Sequence, residues 1–247
     1  KMAILGEMSA HVAHEVRNPL QKIKTGIELL YNSRSLEKRQ KKILEGVTNG
    51  IDTLEKFVTQ ILDWTRSGKI NLKAYSISNI IEGLVFNRKE ECAVRGVKVR
   101  MSFDTDHDTL VIDGIQIRQL IENLIENALD AMPDGGMLSI STSHARGHVF
   151  KTVVSEHVSD AVEISVEDTG SGIEKDDLQQ IFQPFYTKKS RGTGLGLALV
   201  QKIVEMHNGE VDVSSRLGQG SRFVIRLPMD QGIRKQAGKD KKKDLLR

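Results

Sequence analysis

Apolar side chains recur along the first quarter of the chain at steps of three and four. Leu5, Met8, Val12, Val16, Leu20, Ile23, Ile27 and Leu30 make one such series, and Ile43, Val47, Ile51, Leu54, Val58, Ile61 and Leu62 make a second. That period puts each series on one face of a helix. The main turn signal between them is Asn32-Ser33-Arg34-Ser35, so the helices are expected to fold back on each other as a hairpin. Two helices bury little alone, and a homodimeric four-helix bundle is the natural completion.

From Gly68 the pattern shifts. Helices are expected at 78–94, 113–132, 176–182 and 194–207. Strands are expected at 73–77, 97–103, 109–112, 137–143, 161–167, 210–215 and 221–227, with 144–160 an elongated hairpin loop. Grouped strands with interspersed helices predict an α/β sandwich, one mixed sheet covered by helices. The fold class is therefore α+β. Residues 1–67 form the helical domain, 68–73 a linker, 74–230 the sandwich and 231–247 a charged, solvated tail.

Composition narrows the function classes. With 247 residues, 38% apolar and 28% charged, the chain reads as one large or two ordinary globular domains. A net charge of +3 with dispersed basic residues gives no reason to expect nucleic acid as a partner. A single cysteine, Cys92, rules out an internal disulfide framework and reads as a core thiol. No apolar run approaches the ~20 residues of a membrane span, and no signal peptide is expected within these residues. The chain begins within a helical pattern, so a cytoplasmic fragment is expected, whose upstream part could hold a sensor or membrane anchor.

Within the first helix the stretch HVAHEVRNPL departs from the amphipathic rule. At about 100° per residue, His14 falls opposite the apolar seam and points to water, with Asn18 one turn along on the same face. Pro19 lacks an N–H, so the carbonyl of Glu15 loses its helical partner and the helix should bend. The carboxylate of Glu15 can accept the Nδ1 proton of an imidazole, fix its tautomer and raise the nucleophilicity of Nε2. His11 reads as an ordinary surface residue. His14-Glu15-Val16-Arg17-Asn18-Pro19 resembles the phosphoacceptor box of sensor histidine kinases of two-component systems. The resemblance implies a dimerisation and phosphotransfer hairpin with His14 phosphorylated, Glu15 as base and Asn18 orienting a water for dephosphorylation of the partner.

The sandwich carries three pieces suited to a phosphate donor. Asn123 and Asn127 are spaced i, i+4 on one helix face, and amide oxygens are neutral hard ligands suited to Mg2+. In DTGSGI, Asp168 ends a strand and precedes Gly170 and Gly172; a buried carboxylate there can accept the exocyclic amine of adenine. In GTGLGL, residues 192–197, glycines open an apolar helix whose free N–H groups favour phosphate. That motif superficially fits a Rossmann fingerprint, but Thr187-Lys188-Lys189-Ser190-Arg191 precedes it instead of a strand. Lys188, Lys189 and Arg191 could neutralise phosphates, or be ordinary exposed cations.

In order, the Asn pair, DTGSGI, Phe182-Gln183-Pro184-Phe185-Tyr186, GTGLGL and Gly218-Gln219-Gly220-Ser221-Arg222-Phe223 resemble the N, G1, F and G2 boxes and closing strand of the Bergerat-type ATP-binding fold. The resemblance covers nearly all of residues 1–229. It implies ATP and Mg2+ as cofactors, Asn127 on the metal and Asn123 near the phosphates. Asp168, with Gly170 and Gly172, would take adenine; Lys188, Gly192, Gly194, Leu195 and Gly196 would surround the phosphates. The implied partners are a second copy of the chain and a response-regulator receiver domain; the exposed outer face of the hairpin near Pro19 to Lys24 is the expected docking surface for the latter. Three departures stand out: a short lid, Asp130 where relatives often have a basic residue, and Ser221 where threonine is frequent. His144, His148 and His157 form a further constellation without a defined facing geometry.

Overall fold

The computed structural model describes residues 16, 20–27, 30–31, 38–65, 70–151, 156–189 and 192–230. The chain divides into two compact units, one of residues 1–69 with 176–202, the other of 70–175 with 203–247.

In the first unit residues 20–27 form helix α1, and Lys38–Thr65 forms α2. Their direction follows from two contacts. Lys24 Nζ donates to Asp52 Oδ1 at 2.6 Å, and the Tyr31 hydroxyl donates to Glu45 Oε1 at 2.9 Å. Seven residues forward on one helix match seven back on the other, so the pair is an antiparallel hairpin. Ile27 and Ile51 are buried, whereas Ile23, Leu30, Ile43, Val47 and Leu54 of the same seam stay exposed. The stretch 176–182 is a run of turns and not the expected helix. Asp177 O accepts from both Gln180 N and Ile181 N, and Gln180 O accepts from Gln183 N, after which Pro184 removes a donor.

The second unit is a two-layer sandwich. Its elements are β1 (Lys73–Ser76), α3 (Ile77–Asn87), α4 (Lys89–Val94), β2 (Val97–Ser102), β3 (Thr109–Ile112), α5 (Gly114–Ala131), β4 (Gly136–Lys151), β5 (Glu156–Asp168), β6 (Glu210–Arg216) and β7 (Gly220–Pro228). Helix α6 (Gly196–Met206) carries the chain from the first unit into the second. Five strands form a mixed sheet in the order β2-β4-β5-β7-β6, with β2 and β4 parallel and the other pairs antiparallel. Strands β1 and β3 pair separately. Period-2 alternation turns Val162, Ile164, Val166 and Phe223, Ile225, Leu227 to the buried face. There they meet the seam of α5, with Ile117, Leu120, Ile121, Leu124 and Ile125 fully buried. Each such side chain contributes about 1.5–3 kcal/mol.

Two expectations need correction here. The helix 78–94 is two helices, broken at Arg88, whose φ of −106° and ψ of 9° leave the helical region. Residues 144–160 are not a loop: pairing continues from Ala145↔Ala161 to Lys151↔Glu156. A bulge between Ala145 and His148, with Gly147 at φ 59°, interrupts the alternation that would have marked a strand. Among the described residues no helix is long and apolar enough to cross a membrane.

Candidate functional site

Antiparallel pairing sets three polar side chains side by side at one end of the sheet. Asp168 ends β5 opposite Ser221 of β7, which in turn lies opposite Ser215 of β6. All project from the buried face of the sheet, and Asp168 is only 5% exposed. Its Oδ1 accepts from Gly170 N at 2.8 Å, which bends the chain sharply as it leaves the strand. The loop that follows is bonded on both sides. Ser171 N donates to Ala131 O at 3.0 Å, and Gly218 N donates to Ser171 O at 2.7 Å. Thr169 exchanges bonds with Met137, its N donating to Met137 O and its Oγ1 accepting from Met137 N.

The glycines are there because the backbones touch. A Cβ on Gly170 would lie 2.4 Å from Ala131 O, and one on Gly172, at φ 71°, would lie 2.1 Å from Arg216 O. DTGSGI is thereby seated on the last turn of α5, the helix that carries Asn123 and Asn127. Both asparagines are half-buried. Asn123 Nδ2 donates to Gln119 O at 2.8 Å, which commits its N–H end to its own helix and leaves the oxygen as its ligand end. Two amide carbonyls one turn apart fit a hard cation that keeps most of its water, so the donor set suits Mg2+. Asp130, on the following residues of α5, pairs with Arg95 at 3.8 Å.

Ser215 was not anticipated from the sequence. Its hydroxyl donates to Gly220 O and accepts from Ile173 N, each at 2.8 Å. The 3.0 Å contact with Ser221 Oγ is then donated by Ser221. Cross-strand register alone makes this pair, so only knowledge of the β6–β7 pairing could have found it. The Asp113 junction was missed because two of its partners, Asn71 and His207, lie 42 and 94 residues away in sequence. Asp113 Oδ1 caps α5 through Ile115 N and Gln116 N, and Oδ2 accepts from Asn71 N at 3.0 Å. Its own N–H is accepted by Nε2 of His207, a fully buried ring whose Nδ1 donates to Ile203 O at 2.8 Å. Burial pushes the His207 pKa down, against the raising effects of the Ile203 carbonyl and Asp113.

Lys188, Gly192, Gly194, Leu195 and Gly196 belong to the first unit, whereas Asn123, Asn127, Asp168, Gly170, Gly172 and Ser221 belong to the second. Lys188 Nζ lies 2.6 Å from Asp177 Oδ2, and the Tyr186 hydroxyl donates to Asp177 Oδ1 at 2.6 Å. Lys188 first, then Tyr186, hold the Asp177 carboxyl below its ordinary range. Gly194, at φ 69°, accepts from Phe185 N at 2.9 Å and has no room for a Cβ beside the Phe185 backbone. The Leu195 side chain is buried, so this residue offers a ligand only its backbone. Ahead of α6, Thr193 Oγ1 accepts from Leu195 N.

His14, Glu15, Asn18 and Pro19 lie outside the described residues, as do His11, Arg191 and the tail 231–247. Of the histidine constellation, His144 stacks on His107 at 3.8 Å and bonds Asp160, while His148 bonds Glu210 at 3.0 Å. Among the described residues no group of three or more His, Cys, Asp or Glu is placed to hold a metal ion.

Two family models match the chain. Residues 4–69 match the His Kinase A (phospho-acceptor) domain, and residues 112–231 match the histidine kinase-, DNA gyrase B-, and HSP90-like ATPase. The sensor histidine kinase ZraS of Escherichia coli O157:H7 is 30% identical over 93% of this chain and 47% of its own length. The chain spans between 29% and 51% of the length of such curated relatives. The crystal structure of full-length ShkA with AMPPNP is similar at 25% identity and a TM-score of 0.73, covering 90% of this chain and 45% of that one. The histidine kinase ThkA in complex with the response regulator TrrA is similar at 25% identity and a TM-score of 0.64, covering 94% and 64%.

Proposed function

We propose that this chain, which belongs to the sensor histidine kinases and carries their catalytic core, transfers the γ-phosphoryl group of ATP to His14 and relays it to an aspartate of a response regulator. The observation that carries the reading is the buried Asp168 carboxylate, held at the strand end by a glycine loop seated on the asparagine-bearing helix. An acceptor so shielded from water recognises an amine donor such as that of adenine strongly. The nucleotide analogue bound by ShkA and the response regulator bound by ThkA support the same reading.

In the transfer, Nε2 of His14 forms a bond to the γ-phosphorus as the bond to the β,γ-bridging oxygen breaks and ADP leaves. Glu15 takes the Nδ1 proton. Lys188 and the N–H groups of residues 192–196 receive the phosphates, and Asp168 orients the base. Mg2+, held by Asn127 with Asn123 beside it, would supply charge neutralisation on the phosphates. Asn18 would orient water for dephosphorylation of the regulator. Residues 1–67 act as the phosphotransfer domain and 74–230 as the ATP-binding domain, joined by a linker at 68–73 across which they move.

The exposed apolar seam of the hairpin, with Ile23 51% and Ile43 58% exposed, supports pairing with a second copy. The regulator docks near Pro19 to Lys24, and unaltered regulator binding after charge reversal at Lys22 and Lys24 would remove that surface. The activity is tested by incubating wild type and His14→Gln with γ-labelled ATP. Acid-labile label on wild type alone is the expected result, because phosphohistidine is acid-labile. Acid-stable label would indicate a serine kinase of the same ATP fold. Acid-labile label on the mutant would move the acceptor, with His11 first in line.

A further inference from the structure

A side chain of α2 reaches into the glycine-rich segment. The Thr193 hydroxyl donates to Gln60 Oε1 at 2.5 Å, across 133 residues of sequence. Its oxygen also accepts from Leu195 N at 3.4 Å. Both residues are half-buried and belong to the first unit.

A threonine hydroxyl has one proton to give. While Gln60 takes it, no other acceptor can. Thr193 stands between Gly192 and Gly194, in the segment read above as the phosphate cradle. A phosphate oxygen is the competing acceptor that such a cradle receives. The same segment repeats the arrangement at Lys188, a phosphate-seeking cation that lies 2.6 Å from the Asp177 carboxylate.

We propose that Gln60 is a positioning residue for the nucleotide cradle: it holds the Thr193 proton in competition with a nucleotide phosphate. Phosphate entry takes that proton and releases the cradle from the hairpin helix. The proposal rests on the assignment of residues 192–196 to phosphate binding.

The test is calorimetric binding of ADP and adenosine to the full chain. Gln60→Leu keeps the side-chain bulk and removes the acceptor. ADP should then bind about threefold to tenfold more tightly, the equivalent of one neutral hydrogen bond. Adenosine, which has no phosphate, should bind as it does to wild type. Gln60→Glu, a stronger acceptor, should weaken ADP binding, and both effects should disappear in a Thr193→Val background. If Gln60→Leu does not fold, Gln60→Asn, one methylene shorter, makes the same comparison. Equal ADP affinity in wild type and Gln60→Leu overturns the latch alone, as does a gain that persists in Thr193→Val. Wild type that binds neither adenosine nor ADP overturns the nucleotide reading, and the latch with it.

Discussion

Asp168→Asn replaces one carboxylate oxygen by an N–H2 group and leaves the shape of the site intact. Two consequences can be worked separately. For the fold, the amide oxygen still accepts from Gly170 N, now 2.8 Å from Oδ1, and only the charge-assisted part of that bond is lost, about 1 kcal/mol. At 5% exposure the carboxylate also carries a desolvation cost that the neutral amide relieves, with the opposite sign. The net change in stability is therefore within about 1 kcal/mol, or roughly 2–4 °C in Tm for a chain of this size. For the ligand, if Asp168 takes the adenine amine as proposed, a donor now faces a donor. The charged hydrogen bond is lost, about 1.5–3 kcal/mol, and an unpaired donor is left, about 1–3 kcal/mol more. ATP should bind about a hundredfold or more weakly. Guanine presents a carbonyl where adenine presents its amine, so the preference for ATP over GTP should narrow. Calorimetry with both nucleotides and a thermal melt provide the three readouts. ATP affinity within threefold of wild type would refute the adenine contact. A fall in Tm above 10 °C with equal loss of both nucleotides would mean that Asp168 serves the turn only.

Three further outcomes are expected. Gly172→Ala and Gly218→Ala both force a positive φ on alanine, 71° and 75°, but only the first drives a Cβ into backbone, at 2.1 Å from Arg216 O. Gly218→Ala should cost about 1 kcal/mol and Gly172→Ala at least about 2 kcal/mol more in denaturant unfolding, and equal costs would contradict the packing argument. For His207, whose folded pKa lies below the ordinary 6.5, the unfolded chain takes up the proton first as pH falls. Its contribution is complete above about pH 6.5 and is lost below it, with a slope of up to about 1.4 kcal/mol per unit, so His207→Gln should flatten that slope in unfolding curves taken from pH 7 to 5. Lys188→Ala should raise the KM for ATP about tenfold while adenosine affinity is unchanged, and a parallel loss of adenosine binding would place Lys188 outside the phosphate site.

The boundary between what the sequence disclosed and what it concealed follows the range of the interactions. A helix face repeats every three or four residues, and a strand alternates, so the hairpin, the strands at 97–103 and 221–227, and the sandwich were legible. The asparagine and glycine motifs stand out in the sequence because each is local: Asp168 bonds Gly170 two residues on, and Asn123 shares a face with Asn127. The extension of β4 and β5 was hidden because Arg146 and Gly147 break the alternation at a bulge that only the partner strand reveals. The turns at 176–182 were hidden because Asp177 is held by Tyr186 and Lys188, nine and eleven residues away, and not by a helical neighbour. His207 on Asp113 spans 94 residues and Thr193 on Gln60 spans 133. These distant contacts tie His207, just after α6, to the capped start of α5, and the hairpin to the glycine segment. Chemistry at a phosphate or a base needs a few groups at fixed short spacing and so leaves a motif. Coupling between one part of the chain and another needs only a donor and an acceptor that the fold brings together, and it leaves none.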